Sequence, residues 1–310
     1  MTPDRALRGA ALLGVSVLVW GATFPIAKDA VTLVDPYWLT AMRYAVVAPC
    51  FAAILWAVEG RGALAYDGRL ALAATLGCFG FAGFNLFTFA GMQYTAPEHA
   101  AIITALQAPL TALAHWAWRG ARPARFTLGC VALAFTGVLL VVTKGDLPAA
   151  LAAGSLRGDA LVFLGSASWV VYVLGVVKFA GWSPLRYTAL TCLPASLGIA
   201  IVALAATGLG IVGVPRGETL AAVGWQITYL TVFSALVGVL TWNAGIRALG
   251  PLNAVLLGNL IPVVTFAIRL AQGHRFAAIE VAGAALVIGA LAVNNFYVRR
   301  ALRAAPAAET

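Results

Sequence analysis

The sequence predicts an all-α polytopic membrane protein whose ten transmembrane helices form two inverted five-helix repeats. Hydrophobic residues make up 62% of the 310 positions and charged residues only 10%, and the mean hydropathy is +0.93, values that a water-soluble domain of this size would not show. Ten apolar segments are each long enough to cross a hydrocarbon core about 30 Å thick at about 1.5 Å per residue. Because each half holds an odd number of spans, the second copy is inverted relative to the first.

The apolar segments fall into two sets on either side of a linker at 145–157 that contains Gly, Pro, Ser and Ala. The first set lies at 8–27, 37–58, 70–94, 97–118 and 126–143, and the second at 159–178, 184–209, 222–249, 251–271 and 277–298. We number the corresponding helices 1 to 10. The predicted units are a first repeat at 1–144, the linker, a second repeat at 158–298 and a cytoplasmic tail at 299–310.

Matches between the halves indicate an internal duplication. Gly9 and Trp20 match Gly158 and Trp169 at an offset of 149 residues. At an offset of 154, the matched pairs are Ala90 with Ala244, Gly91 with Gly245, Pro97 with Pro251, Ala100 with Ala254, Leu106 with Leu260, and Gly129 with Gly283. Ala- and Leu-rich segments align by chance, so the Trp, Gly and Pro matches are the informative ones.

The net charge of +9 is explained by membrane orientation rather than by a nucleic-acid partner. The basic residues are scattered through short loops and form no clustered stripe. With the N-terminus in the cytoplasm, the cytoplasmic loops hold about twice as many Lys and Arg residues as the loops on the other side. We therefore expect both termini to be cytoplasmic. Because both halves lie in one chain, we also expect that a monomer suffices.

No sequence motif points to an enzyme, a cofactor or a metal. The chain has no GxxxxGK[ST], HExxH or GxSxG pattern. The cysteines fall inside apolar segments without CxxC spacing, at Cys50, Cys78, Cys130 and Cys192. Every acidic residue lies in a loop, a tail or the first turns of a helix, which disfavours ion coupling through a midplane carboxylate.

Glu98 and His99, at the start of helix 4, form a candidate proton site near the external face. The alternative, which the sequence favours, is a helix-start pair exposed to water. Arg269 lies near the end of helix 9, and we expect its charged head to extend to the membrane surface.

Pro109 in helix 4 and Pro262 in helix 9 occupy nearly equivalent positions of the two halves. Each proline removes an intrahelical donor and frees a carbonyl group. Interrupted helices at matching positions mark the substrate site in repeat transporters. The two prolines are therefore candidate hinges, although proline kinks also serve simple packing.

Polar side chains inside the apolar segments are candidate substrate ligands. Thr104 and Gln107 lie on one face of helix 4, and this stripe either lines a cavity or bonds neighbouring helices. Other helices contribute Asn85, Asn243 and Asn259. Arg43 lies about 9 Å along helix 2, where an arginine needs a partner, either a ligand carboxylate or a structural carbonyl group.

Two tryptophans occupy equivalent places in helices 1 and 6. Thr23 continues the face of Trp20, and Tyr172 continues the face of Trp169. These residues either shape a cavity for apolar or aromatic side chains or belong to the packed core.

Several short motifs resemble those of a known family. They are WGATF at 20–24 followed by Lys28, Arg43 in helix 2, APLTAL at 108–113, IPVVTF at 261–266, and glycines in helices 5 and 10. In these motifs and in its ten helices, the chain resembles the EamA-type members of the drug/metabolite transporter superfamily, most of all the YddG-type amino-acid exporters. The resemblance spans about 8–298.

This resemblance implies a central cavity lined mainly by helices 1, 3, 4, 6, 8 and 9, alternating access, and export of amino acids or related metabolites across a bacterial inner membrane. The sequence hypothesis is thus a secondary transporter for small amphipathic metabolites. Its partners would be the substrate and the lipid bilayer. One alternative is a proton-coupled drug/metabolite antiporter. An alternative of another class is a membrane lipid-handling or assembly factor that transports nothing.

Overall fold

The protein is a bundle of long helices. The computed structural model describes residues 3–120, 122–152 and 154–304, and all regular elements in these ranges are helical. Ten helices of the described ranges are long and apolar enough to span a membrane: α1 Asp4–Val31, α2 Pro36–Glu59, α3 Leu70–Met92, α4 Pro97–Trp118, α5 Arg125–Thr143, α6 Ser155–Phe179, α7 Pro184–Gly208, α8 Gly224–Leu249, α9 Pro251–Ala271 and α10 Ala278–Ala301. The fold class predicted from the sequence is confirmed.

Local sequence signals set the helix ends. Pro36 and Pro184 occupy the first positions of α2 and α7, where a missing N–H costs nothing. The side chains of Asp35 and Ser183 cap these helices by accepting backbone N–H groups. Gly120 follows the last residue of the helix that ends at Arg119 and has a φ of 68°, a conformation that glycine adopts without strain.

Two segments predicted to lie outside the spans are partly helical. The linker contains a short helix at Leu147–Ala152, and α6 begins at Ser155 instead of 159. Helix α10 continues to Ala304, past the predicted end at 298, and positions 305–310 lie outside the described residues. The boundaries of the two units stay a prediction.

The packing of the helices follows the symmetry between the two halves: the main contacts between helices have counterparts between the equivalent helices. Helix α1 packs on α8, and its counterpart α6 packs on α3. Helices α2 and α7, α4 and α9, and α5 and α10 pack on their own counterparts. A two-fold axis between the halves produces this pattern, and the inverted-repeat architecture accounts for it.

Matched glycines bring α3 close to α6. A Cβ atom at Gly158 would lie 2.5 Å from the carbonyl oxygen of Gly91, so neither position has room for a side chain. The counterpart of Gly91 in the second half is Gly245, which lies against Leu13 of α1. The same device therefore joins α1 to α8.

Helix α1 begins and helix α10 ends at one end of the bundle, which we call the terminal face. Arg5 donates a hydrogen bond to the carbonyl of Arg247 there, and the rings of Phe126 and Tyr297 lie 4.5 Å apart. The other end, where α1 ends and α2 begins, is the opposite face.

Candidate substrate site

Helix α4 is broken in the middle of the bundle. Its first half, α4a, is Pro97–Ala105 and its second half, α4b, is Gln107–Arg119. The break falls at Leu106, three residues before Pro109. A proline has no N–H to donate to the carbonyl one turn earlier, so the helix is interrupted just before the proline. The helix then restarts, with the proline in the first turn of its second half.

Helix α9 is broken at the equivalent place. Its halves are α9a, Pro251–Gly258, and α9b, Ile261–Ala271, so Pro262 is the second residue of the restarted helix. The linking residues Leu106 and Leu260, which match at the offset of 154, have nearly the same ψ of −7° and −8°. Discontinuous helices at matching positions of two halves are a feature of transporter substrate sites.

The broken helices are packed unequally at the two faces. Half-helix α4a packs on α9b as well as on α1, α3, α5, α6 and α10, whereas α4b packs mainly on α6. Residues 97–103 of α4a are all buried. Among the α4b residues whose side chains are described, only Pro109 is buried. The bundle is therefore closed at the opposite face and more open at the terminal face.

A cleft of about 140 Å³ separates α4b from α9a. Helices α5 and α10 form its back wall, so the lining of this cleft differs from the expected lining by helices 1, 3, 4, 6, 8 and 9. Its lining includes Ala108, Pro109 and Ala112 of α4b, Leu252, Val255 and Asn259 of α9a, and Asn294 and Asn295 of α10. The other lining residues, from α5 and α10, are Cys130, Val131, Leu291 and Val298, so none of the described lining residues carries a charge.

Three amide groups of this cleft have unused hydrogen-bonding capacity. The Nδ2 of Asn259 and the Oδ1 atoms of Asn294 and Asn295 have no bonding partner among the described residues. Asn259 and Asn295 are only 7% and 6% exposed. The Nδ2 of Asn295 donates to the Leu252 carbonyl, which fixes the orientation of that amide. One donor and two acceptors in the wall of the cleft are therefore buried without a partner among the described residues.

Trp20 and Thr23 both face the π-helical part of α8, which spans Tyr229–Val237. The Trp20 indole N–H donates to the Ser234 carbonyl over 3.0 Å, and the Thr23 hydroxyl donates to the Ser234 hydroxyl over 2.9 Å. The half-buried Trp20 ring also lies 5.1 Å from the ring of Trp242. Thr23 is thus used for packing, and Trp20 is only partly buried.

Trp169 and Tyr172 belong to an aromatic cluster between α3, α6 and α7. The half-buried Trp169 ring lies 5.5 Å from Phe84 and 5.0 Å from Tyr172. Tyr172 is 6% exposed and stacks on Tyr187 at 4.8 Å. Tyr172 therefore lies in the packed core, whereas Trp169 is only partly buried.

Arg43 and Asn85 lie in a buried network away from the cleft. The guanidinium of Arg43, 2% exposed, donates to the Leu230 carbonyl over 2.9 Å and to the Asn85 side chain over 3.3 Å. Asn85 in turn donates to the Tyr44 hydroxyl and the Phe81 carbonyl. Of the two interpretations left open by the sequence, this geometry favours the structural carbonyl partner.

The remaining predicted ligands lie near the breaks of α4 and α9 or on α8. Thr104 and Gln107 are half-buried beside Leu106, but the Thr104 hydroxyl bonds to the carbonyl of Ala101 in its own helix. Asn243 of α8 is also half-buried, and its Nδ2 has no partner among the described residues. The structure therefore distributes the ten predicted ligands over several regions and does not gather them into one site.

Charged residues close the opposite face. Arg269 donates to the Glu98 carboxylate over 3.1 Å, and the His274 Nε2 lies 3.3 Å from the same group. His99 lies 3.4 Å from the Asp159 carboxylate on α6. Glu98 and His99 are 1% and 5% exposed, so the expectation of a water-exposed pair was wrong. The Arg269 side chain is 26% exposed at this face and pairs with Glu98, and its extension to the membrane surface stays a prediction.

Sequence reasoning missed two features of the site. Asn294 and Asn295 lie in the cleft, and their signal was present as adjacent amides in an otherwise apolar segment. The π-helical stretches of α3 and α8, Cys78–Gly83 and Tyr229–Val237, also lie at equivalent places. A π-turn depends on tertiary contacts and has no periodic sequence pattern.

Ten spans, two helices broken at matching positions and a cleft between the broken halves define a multi-pass membrane transporter. The profile of the EamA-like transporter family matches residues 7–143 and again residues 156–296. The chain therefore belongs to the EamA-like transporter family. Each half is matched separately, in agreement with the duplication.

Similar proteins agree with this assignment. The uncharacterized transporter YrdR of Bacillus subtilis is 30% identical over 304 residues, which cover 97% of this chain and 95% of YrdR. The uncharacterized transporter YyaM of the same organism is 33% identical over 280 residues, covering 89% and 90%. A solved crystal structure, 20% identical, has a TM-score of 0.65 over 97% of this chain and 99% of that chain, and it shows the same fold.

Proposed function

We propose that this transporter exports small zwitterionic metabolites, amino acids first, by alternating access. The supporting observation is the cleft between α4b and α9a, whose unpartnered polar groups are neutral amides. The Asn259 Nδ2 suits a carboxylate, and the Asn294 and Asn295 oxygens suit an ammonium group. A cleft without charged side chains favours a substrate without net charge, because an unpaired ion in low dielectric is costly.

The volume of the cleft favours a small substrate. Sites for drug-sized ligands enclose about 300–1,000 Å³. The cleft measures about 140 Å³. Trp20 and Trp242 lie near α9a, because a Cβ atom at Gly258 would meet the Trp242 ring at 3.0 Å. These rings would contact the apolar part of the substrate as it moves toward the bundle centre.

Orientation gives the direction of transport. With the terminal face in the cytoplasm of a bacterial inner membrane, substrate enters between α4b and α9a and leaves after α4a and α9b separate. Trp169, Gln107, Thr104 and Asn243 would contact substrate during passage. Pro109 and Pro262 would serve as hinges, and a monomer would suffice.

Counterflow in proteoliposomes tests the substrate class. Vesicles preloaded with an unlabelled amino acid should accumulate the same labelled neutral amino acid faster than they accumulate lysine or glutamate under matched conditions. Asn259→Leu should reduce the rate about tenfold, since one lost hydrogen bond to an ionised group is worth about 1.5–3 kcal/mol. Ser196→Ala is the control, because this hydroxyl bonds within α7, away from the cleft. Rates equal to those of empty liposomes for all zwitterions would refute the proposal.

A further inference from the structure

The carboxylates buried in the described part of the chain all lie at the opposite face. They are Glu98, Asp159 and Glu280, with exposures of 1%, 6% and 2%. Acidic residues at the terminal face, such as Glu59 and Asp67, are exposed. Burying a carboxylate is costly unless it is paired, so these positions need a specific reason.

Glu98 joins the two halves of the protein. It lies on α4a, while its partner Arg269 lies on α9b and His274 lies on the connection from α9 to α10. Arg269 also donates to the Gln272 side chain over 3.1 Å, which fixes the guanidinium beside the carboxylate. Separation of α4a from α9b therefore requires the Glu98–Arg269 pair to break.

Other charged groups surround this pair. Lys28 of α1 lies within electrostatic range of both Glu98 and Arg269, and its ammonium donates to the carbonyls of Met92 and Thr95. From α6, Asp159 faces His99 and accepts a hydrogen bond from the Thr95 hydroxyl.

A second ion pair at this face, Lys144 with Glu280, joins α5 to α10. Glu98 is thus the acceptor of a mainly cationic cluster that lies between α4a, α9b and α1. Its negative charge holds the cluster together, because without it Arg269 and Lys28 would repel each other.

The two faces differ in whether an ion pair can join the broken helices α4 and α9. At the offset of 154, Glu98 corresponds to Leu252 and Arg269 corresponds to His115. The terminal face therefore has no carboxylate at the matching place, and α9a cannot form the same ion pair with α4b. Protonation of a carboxylate can therefore break the contact between α4 and α9 at the opposite face, but not their contact at the terminal face.

We propose that Glu98 is a proton-binding site that controls opening of the opposite face, an inference that rests on the proposed alternating-access function. Protonation of Glu98 removes the charge that holds Arg269. The closed form then contains an uncompensated cation, whereas the open form exposes Arg269 to water, so acidification at the opposite face shifts the population toward the open form.

The proton bound at Glu98 returns to the face from which it came. In the closed form, Glu98 is separated from the cleft by buried side chains of α4a from Ala100 to Ile103, each at most 2% exposed. The site is therefore a gate and not a proton-coupling site. Substrate flux should depend on pH at the opposite face without a matching flux of protons.

Cysteine labelling tests the gate directly. Thr104→Cys is introduced into a full-length chain whose native cysteines are replaced by Ala, and a membrane-impermeant maleimide is added at the opposite face. Rates are normalised to Gln93→Cys, an exposed position at that face, to remove the pH dependence of thiol reactivity. Lowering the pH from about 7.5 to about 4, where an ordinary glutamate side chain is mostly protonated, should raise the normalised rate about threefold.

Glu98→Gln should give a high rate that no longer responds to pH, and Arg269→Gln should also raise the rate at about pH 7.5. Glu280→Gln is the matched control, because Glu280 is equally buried and ion-paired at the same face but lies on α10. It should keep the normal pH response. A response that persists in a correctly inserted Glu98→Gln variant, or its loss in Glu280→Gln as well, would overturn the gate.

Proton flux separates the gate from coupled antiport. A pH-sensitive dye enclosed in the vesicles should report no substrate-driven proton movement while labelled substrate is exchanged. Proton movement in fixed proportion to substrate would overturn the proposal. Failure of counterflow for every amino acid would refute the proposed substrate class, whereas the labelling result would stand.

Discussion

The guanidinium of Arg43 on α2 donates a 2.9 Å hydrogen bond to the backbone carbonyl of Leu230 on α8. Leu230 lies in the π-helical stretch Tyr229–Val237, where the regular bonding pattern of an α-helix is altered. The same guanidinium lies 4.9 Å from the centre of the Phe89 ring on α3. Arg43 therefore ties three helices together where α8 departs from α-helical geometry.

Replacing Arg43 should destabilise the protein. Arg43→Gln shortens the side chain and leaves the Leu230 carbonyl and the Asn85 oxygen without their donor. We expect a loss of about 2–3 kcal/mol, the value of hydrogen bonds from a charged group, and Arg43→Lys should lose less. Thermal unfolding in detergent measures the change.

Arg5→Gln is the control for this experiment, because the Arg5 side chain is exposed and its hydrogen bond to the Arg247 carbonyl is long, at 3.4 Å, and contributes little. A substrate role for Arg43 predicts a different result. In that case Arg43→Gln would keep its unfolding midpoint and lose counterflow, and the structural interpretation would be abandoned.

The sequence contained enough information for the fold because membrane helices are specified by length and hydropathy. Predicted and observed ends agree within a few residues for most spans, for example 70–94 against Leu70–Met92. Proline positions also indicated where α4 and α9 are broken, since the missing N–H acts locally.

The site was less predictable because polar side chains in a membrane bundle have several uses. Asn85 and Asn259 look alike in the sequence, yet Asn85 makes its hydrogen bonds inside the bundle, whereas the Asn259 Nδ2 has no partner among the described residues. Only the packing of α3 and α9 distinguishes them. Likewise, Glu98 lies at a helix start in the sequence, but Arg269, 171 residues away, decides its burial and pairing.

Close contact between α3 and α6 should make Gly158 intolerant of a side chain. Gly158→Val places a Cβ atom 2.5 Å from the Gly91 carbonyl oxygen, and the overpacking should cost about 1–3 kcal/mol. Gly14→Val is the control, because nothing lies within 4 Å of a Cβ atom there. Thermal unfolding of both variants gives the comparison, and equal losses would mean that helix propensity and not contact sets the cost.

Trp20 and Trp169 occupy equivalent positions but should respond differently to substitution. Trp20→Phe removes the indole donor to the Ser234 carbonyl, whereas the Trp169 indole N–H makes no hydrogen bond within the part of the chain that the structure describes. Both variants lose ring area, so Trp20→Phe should be about 1 kcal/mol less stable than Trp169→Phe. Thermal unfolding measures the difference, and the opposite order would contradict the observed bonding.

The breaks in α4 and α9 should matter for transport more than for stability. Pro109→Ala and Pro262→Ala restore a backbone N–H and allow each helix to continue through its break, which would hinder movement of α4b and α9a relative to α4a and α9b. We expect counterflow rates to fall severalfold while the unfolding midpoint stays the same or rises. Pro49→Ala is the matched control, because Pro49 lies inside the continuous helix α2 and is exposed. If the Pro49 variant loses as much activity as the other two, or if all three transport normally, the breaks are packing adjustments and access must change by rigid movement of whole helices.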